Sequence, residues 1–194
     1  MWNNNKRFFT RRTLLSVFFC MSLLTLSAQP KSDTFDDALE HLPMLTTLTL
    51  KVCGVDSSTK GDLEFCANVI GSYVVAGVVA FGLKHSIHEW RPDKSDNKSF
   101  PSGHATMSFA GAHALQKEFG HVSPWIAVGG YAVAAGVSID RVARDRHHWY
   151  DVCAGAAIGV LSTELSYYIS EKLFPKTNAS LAFTGNSLSI GIGF

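Results

Sequence analysis

Three short blocks, in order along the chain, carry cationic, hydroxyl, imidazole and carboxyl groups: Lys84-x6-Arg91-Pro92, Pro101-Ser102-Gly103-His104 and Arg141-x5-His147-x3-Asp151. Taken singly, the first and third blocks are weak signals, because basic residues near a helix end are usually just solvated. In this order, with the rare tetrapeptide between them, they form a strong pattern. The residue types together predict a site that binds a phosphate group and transfers it.

The cationic and hydroxyl residues of these blocks supply what an anion needs. Lys84 and Arg141 provide fixed positive charge, and the planar guanidinium of Arg91 can grip two oxygens at once. Ser102 and Gly103 lie where a helix is predicted to begin, and backbone N–H groups there favour an anion. Phosphoryl transfer depends mainly on positioning and charge neutralisation. Because no Cys/His spacing indicates a metal site, the sequence predicts catalysis without a metal or cofactor.

Two histidines and an aspartate can do the bond-making and proton-transfer work. His147 and Asp151 are four residues apart at the predicted start of a helix, so they share one face. A carboxylate there can hold one imidazole nitrogen and direct the other at phosphorus. His104 can protonate the leaving oxygen as a general acid. His148 has Val152 four residues later instead of a carboxylate, so we interpret it as a flanking residue.

These blocks resemble the superfamily of type 2 phosphatidic acid phosphatases, bacterial class A acid phosphatases and vanadium haloperoxidases. The similarity spans about Lys84 to Gly159 and includes the run from Asp151 to Gly155. Asp140 departs from the pattern, because a serine usually precedes the arginine, and we expect Asp140 to tune the pocket. The resemblance implies these roles: His147 as the nucleophile that forms a phosphohistidine, Asp151 as its partner, His104 as the acid, and Lys84, Arg91, Ser102, Gly103 and Arg141 as phosphate ligands.

The elements that position these residues are predicted to be helices. Apolar stretches and Pro/Gly punctuation predict four long ones: Phe65–Leu83, about Ser102 to Phe119, Pro124 to about Ile139, and about His148 to Phe174. The second and third are of nearly equal length, roughly 25 Å each. The second helix therefore carries the chain away from the site, and the third brings it back to the same end of the bundle. An all-α, up-down-up-down bundle would bring the three blocks to one end.

Shorter elements are predicted on either side of the bundle. The stretch Ala38–Val52, interrupted by Pro43, predicts one or two short helices. In the C-terminal tail, residues 179–194, apolar residues alternate with small polar ones around Gly185-Asn186, which predicts a β-hairpin.

The N-terminus has the features of a signal peptide, residues 1–28. Four basic residues precede an apolar run from Leu14 to Leu26, and Ala28 offers a cleavage site. An apolar run of 13 residues is too short to cross a membrane. We therefore predict export to the periplasm, a helical phosphatase domain over residues 29–178, and a β-like tail. Without the first 28 residues, 13 basic side chains stand against 16 acidic ones, so nothing indicates a nucleic-acid partner.

Opposing features bear on whether the bundle enters the membrane. Phe65–Leu83 and Val122–Ile139 are uncharged and long enough to consider. Lys117, Glu118, Glu164 and Glu171 argue against embedding, and so does topology. After an export signal, one spanning helix would put the site in the cytoplasm, unless Leu39–Val52 crosses as well. We therefore expect a bundle that works at the membrane surface, with an embedded bundle as the alternative.

Substrate and surface chemistry leave alternatives open. The pattern from Arg91 through His104 is similar to exported bacterial enzymes that include lipid A phosphatases, which favours an undecaprenyl, phosphatidyl or lipid A phosphate. A soluble nonspecific acid phosphatase and an inactive phospholipid-binding relative are the alternatives, and the short chain disfavours a haloperoxidase. Lys94, Lys98, Arg144 and Arg146 form either a basic rim for an anionic head group or a solvated surface. Cys53 and Cys66 pair in an oxidising compartment, or else they and Cys153 are small buried hydrophobes.

Overall fold

The computed structural model describes residues 33–174, 178–184 and 187–193, with side chains described over residues 37–174. The predicted signal peptide, residues 1–28, and the hairpin turn at Gly185-Asn186 lie outside the described residues. Statements below about burial and contacts concern the described part of the chain.

Over the described residues, six helices precede a two-stranded antiparallel sheet: α1 Asp33–Glu40, α2 Leu42–Val52, α3 Asp62–Ser86, α4 Gly103–Phe119, α5 Pro124–Ala143, α6 Trp149–Leu173, β1 Asn178–Thr184 and β2 Ser187–Gly193. The predicted all-α bundle with a C-terminal hairpin is therefore confirmed. The predicted short helices are present as α1 and α2. Pro43 lies in the first turn of α2, where its missing N–H has no carbonyl to pair with.

Helix α4 packs against α2, α3, α5 and α6. This arrangement is feasible because the core positions of α4 are small: four alanines of this helix are completely buried, Ala105, Ala110, Ala112 and Ala114. Small side chains let neighbouring backbones approach closely, which favours helix association in water and in lipid.

The closest approach is between α4 and α6, at two glycines one turn apart. A Cβ atom on Gly159 would lie 2.4 Å from the Thr106 carbonyl oxygen, and one on Gly155 would lie 2.6 Å from the Ser102 carbonyl oxygen. Both obstacles are backbone atoms, which cannot yield without moving a helix. Glycine at these two positions therefore sets the separation of the helices that carry Ser102 and Asp151.

The chain crosses the full length of α4 before α3 begins. Asp37 contacts His104, at the start of α4, whereas the Ser58 N–H donates to the Glu118 carbonyl at its end, 2.9 Å away. The segment from Leu39 to Val52 thus runs from the end of the bundle with His104 to the opposite end. Helix α3 then returns the chain toward the first end.

Three helices, α3, α5 and α6, are long and apolar enough to cross a membrane. Only 28% to 33% of the residues in their apolar stretches are buried inside the bundle. Large apolar side chains on α3 and α6 point outward, such as Val78, Phe81 and Leu161, each about two thirds exposed. An exposed apolar surface of this extent indicates contact with lipid or another apolar partner.

Three of the four charges that argued against embedding have partners: Glu118 inside the bundle, and Lys117 and Glu164 with each other at its surface. Glu118 is fully buried and accepts hydrogen bonds from the Thr59 N–H and hydroxyl, at 3.0 and 2.7 Å, and from the Tyr167 hydroxyl at 2.9 Å. Glu164 pairs with Lys117 at 2.8 Å and contacts His113 at 2.6 Å. Paired in this way, these groups do not count against an embedded bundle.

Both expectations for the cysteines are wrong. Cys53, Cys66 and Cys153 are unpaired and exposed. Cys66 and Cys153 lie on different helices, α3 and α6, and face outward with the apolar side chains around them. Cys53 lies directly after α2.

Replacing Gly159 with alanine should destabilise the protein by about 1–3 kcal/mol, because the added methyl group overpacks the seam between α4 and α6. The matched control is Gly136→Ala on α5, where an added Cβ meets no atom within 4 Å. That change should be neutral or stabilise by up to about 1 kcal/mol through helix propensity. Thermal unfolding of the purified variants in detergent measures both effects. Equal melting temperatures for Gly159→Ala and the unaltered protein would contradict this account of the seam.

Candidate active site

The structure brings the three blocks to one end of the bundle. Lys84 lies near the end of α3, Gly103 begins α4, Arg141 lies in the last turn of α5, and Asp151 lies in the first turn of α6. Direct contacts join the blocks. The Ser102 N–H donates to the Asp151 carbonyl at 3.0 Å, and a Cβ on Gly103 would lie 3.8 Å from the Lys84 Cε.

His147 is held in a buried position between a carboxylate and a guanidinium. Its side chain is 3% exposed, its Nδ1 is 3.7 Å from Asp151 Oδ2, and its Nε2 is 3.5 Å from Arg91 Nη1. Burial, and next the charges of Arg91 and Lys84, lower the pKa of His147 to about 3. The imidazole is therefore neutral at physiological pH. A neutral ring keeps the lone pair that a nucleophile requires.

Ser99 connects His147 with Asp151, a contact that the sequence analysis missed. The Ser99 side chain is fully buried, and its hydroxyl donates to Asp151 Oδ2 at 2.5 Å. The same oxygen lies 3.4 Å from His147 Nδ1. The predicted pair of His147 and Asp151 is present, but 3.7 Å is too long for a direct hydrogen bond. The only sequence signal for Ser99 was its position directly before Phe100 and the Pro101-Ser102-Gly103-His104 tetrapeptide.

Asp151 also fixes the start of α6. Its Oδ2 accepts a hydrogen bond from the His148 N–H at 2.9 Å, completing a capping box at the helix N-terminus. The carboxylate is completely buried. Its partners therefore hold it in a single position next to the imidazole.

The cationic residues are oriented by their own partners. Arg91 donates through Nε to Asp96 at 2.9 Å and through Nη1 to the Arg146 carbonyl at 3.1 Å. Lys84 Nζ donates to the Lys98 carbonyl at 2.9 Å. The Arg141 side chain is buried, and its carbonyl accepts from the N–H groups of Arg146 and His147, at 3.0 and 3.3 Å. The loop that carries His147 is thus tied to α5.

Ser102 caps α4. Its hydroxyl oxygen accepts from the Ala105 N–H at 3.4 Å, and its own N–H is bonded to Asp151. The backbone donors at this end of α4 for an anion are therefore those of its first turn, beginning with Gly103, and the helix dipole adds to them.

His104 contacts two carboxylates that were not part of the predicted site. Its Nε2 is 2.9 Å from Asp37 Oδ1, and its Nδ1 is 3.7 Å from Glu40 Oε2. Both carboxylates belong to α1, which is therefore in contact with the active-site end of α4.

Other candidates lie outside the cluster. His148 contacts the Trp90 carbonyl at 3.2 Å and stacks on Tyr150, in line with its interpretation as a flanking residue. Asp140 pairs with Arg144 at 3.0 Å, and Asp93 pairs with Arg146 at 3.4 Å. Two of the four predicted rim cations thus have carboxylate partners.

Within the described residues, no group of three or more His, Cys, Asp or Glu side chains is arranged to hold a metal ion. Independence from metals and cofactors remains a prediction of the sequence.

The sequence and the fold are similar to those of known proteins. The chain matches the model of the PAP2 superfamily over residues 65–175, more than half of its length, and so belongs to that superfamily. It also resembles the crystal structure of Aquifex aeolicus LpxE, with a TM-score of 0.54 and 20% identity over 78% of this chain and 94% of that one. At this identity, the likeness shows a common fold.

Two curated relatives are more similar in sequence. The chain is 35% identical over 140 residues to the lipid A 1-phosphatase of Porphyromonas gingivalis, covering 72% of this chain and 31% of that protein. It is 38% identical over 104 residues to lipid phosphate phosphatase 1 of Arabidopsis thaliana, covering 48% of this chain and 30% of that protein. The aligned region therefore spans about a third of the length of these relatives.

Replacing Ser99 with alanine should lower kcat for phosphate monoester hydrolysis by about 10- to 100-fold, because a buried hydrogen bond to a charged group contributes about 1.5–3 kcal/mol. KM should change little, since Ser99 touches none of the proposed phosphate ligands. The control is Ser86→Ala, which removes an exposed hydroxyl near the end of α3. Steady-state kinetics and thermal unfolding separate a positioning effect from misfolding. A folded Ser99→Ala variant with kcat within twofold of the unaltered protein would refute this role.

Proposed function

We propose that this protein is a membrane-embedded lipid-phosphate phosphatase that hydrolyses phosphate monoesters through a phosphohistidine on His147. The observation that carries the proposal is the buried, neutral imidazole of His147, with Nε2 beside Arg91 and Nδ1 beside Ser99 and Asp151. Membership of the PAP2 superfamily and similarity to two lipid phosphatases support it.

The proposed reaction has two steps. In the first, the His147 Nε2 lone pair attacks phosphorus, the bond to the lipid oxygen breaks, and His104 gives that oxygen a proton. In the second, water attacks the phosphohistidine and His104 takes up its proton, which releases inorganic phosphate and restores both rings. Lys84, Arg91, Arg141 and the first turn of α4 neutralise the charge on the phosphoryl oxygens.

Proposed contact with the bilayer rests on the exposed apolar faces of α3, α5 and α6. Helix α5, with 20 residues, is about as long as the hydrocarbon core is thick. Exposed tryptophans lie at both ends of the bundle: Trp90 and Trp149 near the site, and Trp125 at the opposite end. Tryptophan favours the membrane–water interface, so this distribution supports a site at head-group level.

The course of the chain also supports a periplasmic site. Residue 37 is at the active-site end, and the chain crosses the bundle through α2 before α3 returns. The segment Leu39–Val52 connects the two ends of the bundle by running along α4, the direction that an embedded bundle after an export signal requires. An exported N-terminus and the catalytic end would then lie on the same, periplasmic, side. The similarity to a lipid A 1-phosphatase favours lipid A phosphate within a panel of envelope lipids.

Enzyme incubated with substrate carrying ³²P and quenched in alkaline detergent should retain label that is lost on treatment with acid, the behaviour of phosphohistidine. His147→Ala should abolish this label and turnover, whereas His148→Ala should keep both. A chelator should leave labelling unchanged, because the proposed site neutralises charge with its own cations. Equal labelling of the two variants would contradict the mechanism. So would a loss of labelling with chelator that is restored by adding a divalent ion.

Lipid phosphates in mixed micelles should be hydrolysed with a higher kcat/KM than a small chromogenic phosphate, since burial of the acyl chains contributes binding energy. Trp90→Ala, at the active-site end, should lower kcat/KM for the lipid several-fold and leave the chromogenic substrate unaffected. Trp125→Ala, equally exposed but at the opposite end, is the matched control. Equal kcat/KM values for both substrates, unchanged by Trp90→Ala, would favour a nonspecific acid phosphatase.

A further inference from the structure

Two carboxylates one helical turn apart on α1 face the two nitrogens of His104. Asp37 Oδ1 is 2.9 Å from Nε2, and Glu40 Oε2 is within ion-pair distance of Nδ1, at 3.7 Å. Both residues precede the region that matches the PAP2 superfamily, which begins at residue 65. The contacts are therefore a feature of this chain beyond that match.

The two carboxylates differ in exposure. The Asp37 side chain is 60% exposed, whereas that of Glu40 is only 13% exposed. An exposed carboxylate is readily displaced by a ligand, but a buried one stays in place. The Nε2 atom of His104 therefore faces the side that a substrate can reach, and its Nδ1 atom faces the buried carboxylate of Glu40.

The surroundings of Glu40 are charged on several sides. The groups that face it are Asp37 and His41 on α1, Tyr73 on α3, His104 on α4 and Arg141 on α5. The Glu40 side chain is thus largely withdrawn from water, with the charges of Asp37 and Arg141 nearby. Burying a carboxyl group lowers the free energy of unfolding, and such groups are typically retained for function.

We propose that Glu40 is a positioning residue that orients His104 through Nδ1 for its role as general acid. This inference rests on the proposed function. At the ion-pair distance of 3.7 Å, a carboxylate beside Nδ1 attracts the imidazolium, the form that donates a proton, and so favours a ring orientation with Nδ1 toward Glu40. The proton on Nε2 passes to the lipid oxygen as the bond to phosphorus breaks. When substrate binds, its leaving oxygen replaces the Asp37 carboxylate beside Nε2.

The site then contains two oriented histidines, one on each side of the bond that breaks. Asp151 and Ser99 hold His147 for attack on phosphorus, and Glu40 holds His104 for protonation of the leaving group. Asp151 and Ser99 lie in the region that matches the superfamily, whereas Glu40 lies on α1, before that region.

Two substrates with different leaving groups test this role of Glu40. An alkyl or lipid phosphate needs a proton on its leaving oxygen, whereas 2,4-dinitrophenyl phosphate does not, because its leaving anion is already stable. Glu40→Gln should lower kcat for the alkyl substrate at least 10-fold and for the dinitrophenyl substrate less than threefold. The alkaline limb of the kcat–pH profile for the alkyl substrate should move to lower pH, because the imidazolium loses a stabilising charge.

The control is Glu171→Gln, an exposed carboxylate near the end of α6, which should change neither substrate. Equal losses on both substrates would show that Glu40 merely supports the fold, and no loss on either would likewise overturn the inference. Labelling of His147 in Glu40→Gln with the dinitrophenyl substrate separates the two proposals. If the unaltered enzyme forms no phosphohistidine, the proposed function is wrong. If the unaltered enzyme forms it, and Glu40→Gln hydrolyses both substrates as fast as the unaltered enzyme, only the proposed role of Glu40 is wrong.

Discussion

The glycine seam between α4 and α6 is the constraint on which the site depends. Because the Cα atoms of Gly155 and Gly159 lie against backbone atoms of α4, the first turns of the two helices come close enough for the Ser102 N–H to bond the Asp151 carbonyl. That bond joins the start of α4, the proposed anion-binding helix, to α6, which carries Asp151, the proposed partner of the nucleophile. A side chain at either glycine would separate the two halves of the site.

Burial gives the two histidines different properties. His147 lies in the interior beside fixed cations, so it stays neutral and nucleophilic. His104 lies closer to the surface, beside two carboxylates. The same side chain can therefore act as nucleophile in one position and as acid in the other, a division that environment alone creates.

The bundle buries polar groups beside its apolar core and leaves many large apolar side chains on its exterior. Glu118 and Glu164 find partners on neighbouring helices, and small residues fill the contacts between backbones. Many large apolar side chains of α3, α5 and α6 face outward. This distribution suits a protein whose surroundings are lipid on the sides and water at the catalytic end.

The sequence by itself determined the four long helices, their order and the eight residues that the three blocks contribute. Apolar runs, Pro124 and Gly120 act over a few residues, and the alternating direction of the helices follows from their lengths. Only the tertiary structure decided which groups from distant segments meet. Ser99 lies 52 positions from Asp151, and Glu40 lies 64 before His104, so neither contact leaves a local pattern. The pairing of interior charges and the outward position of the cysteines were likewise unpredictable, because they depend on how the helices are rotated against each other.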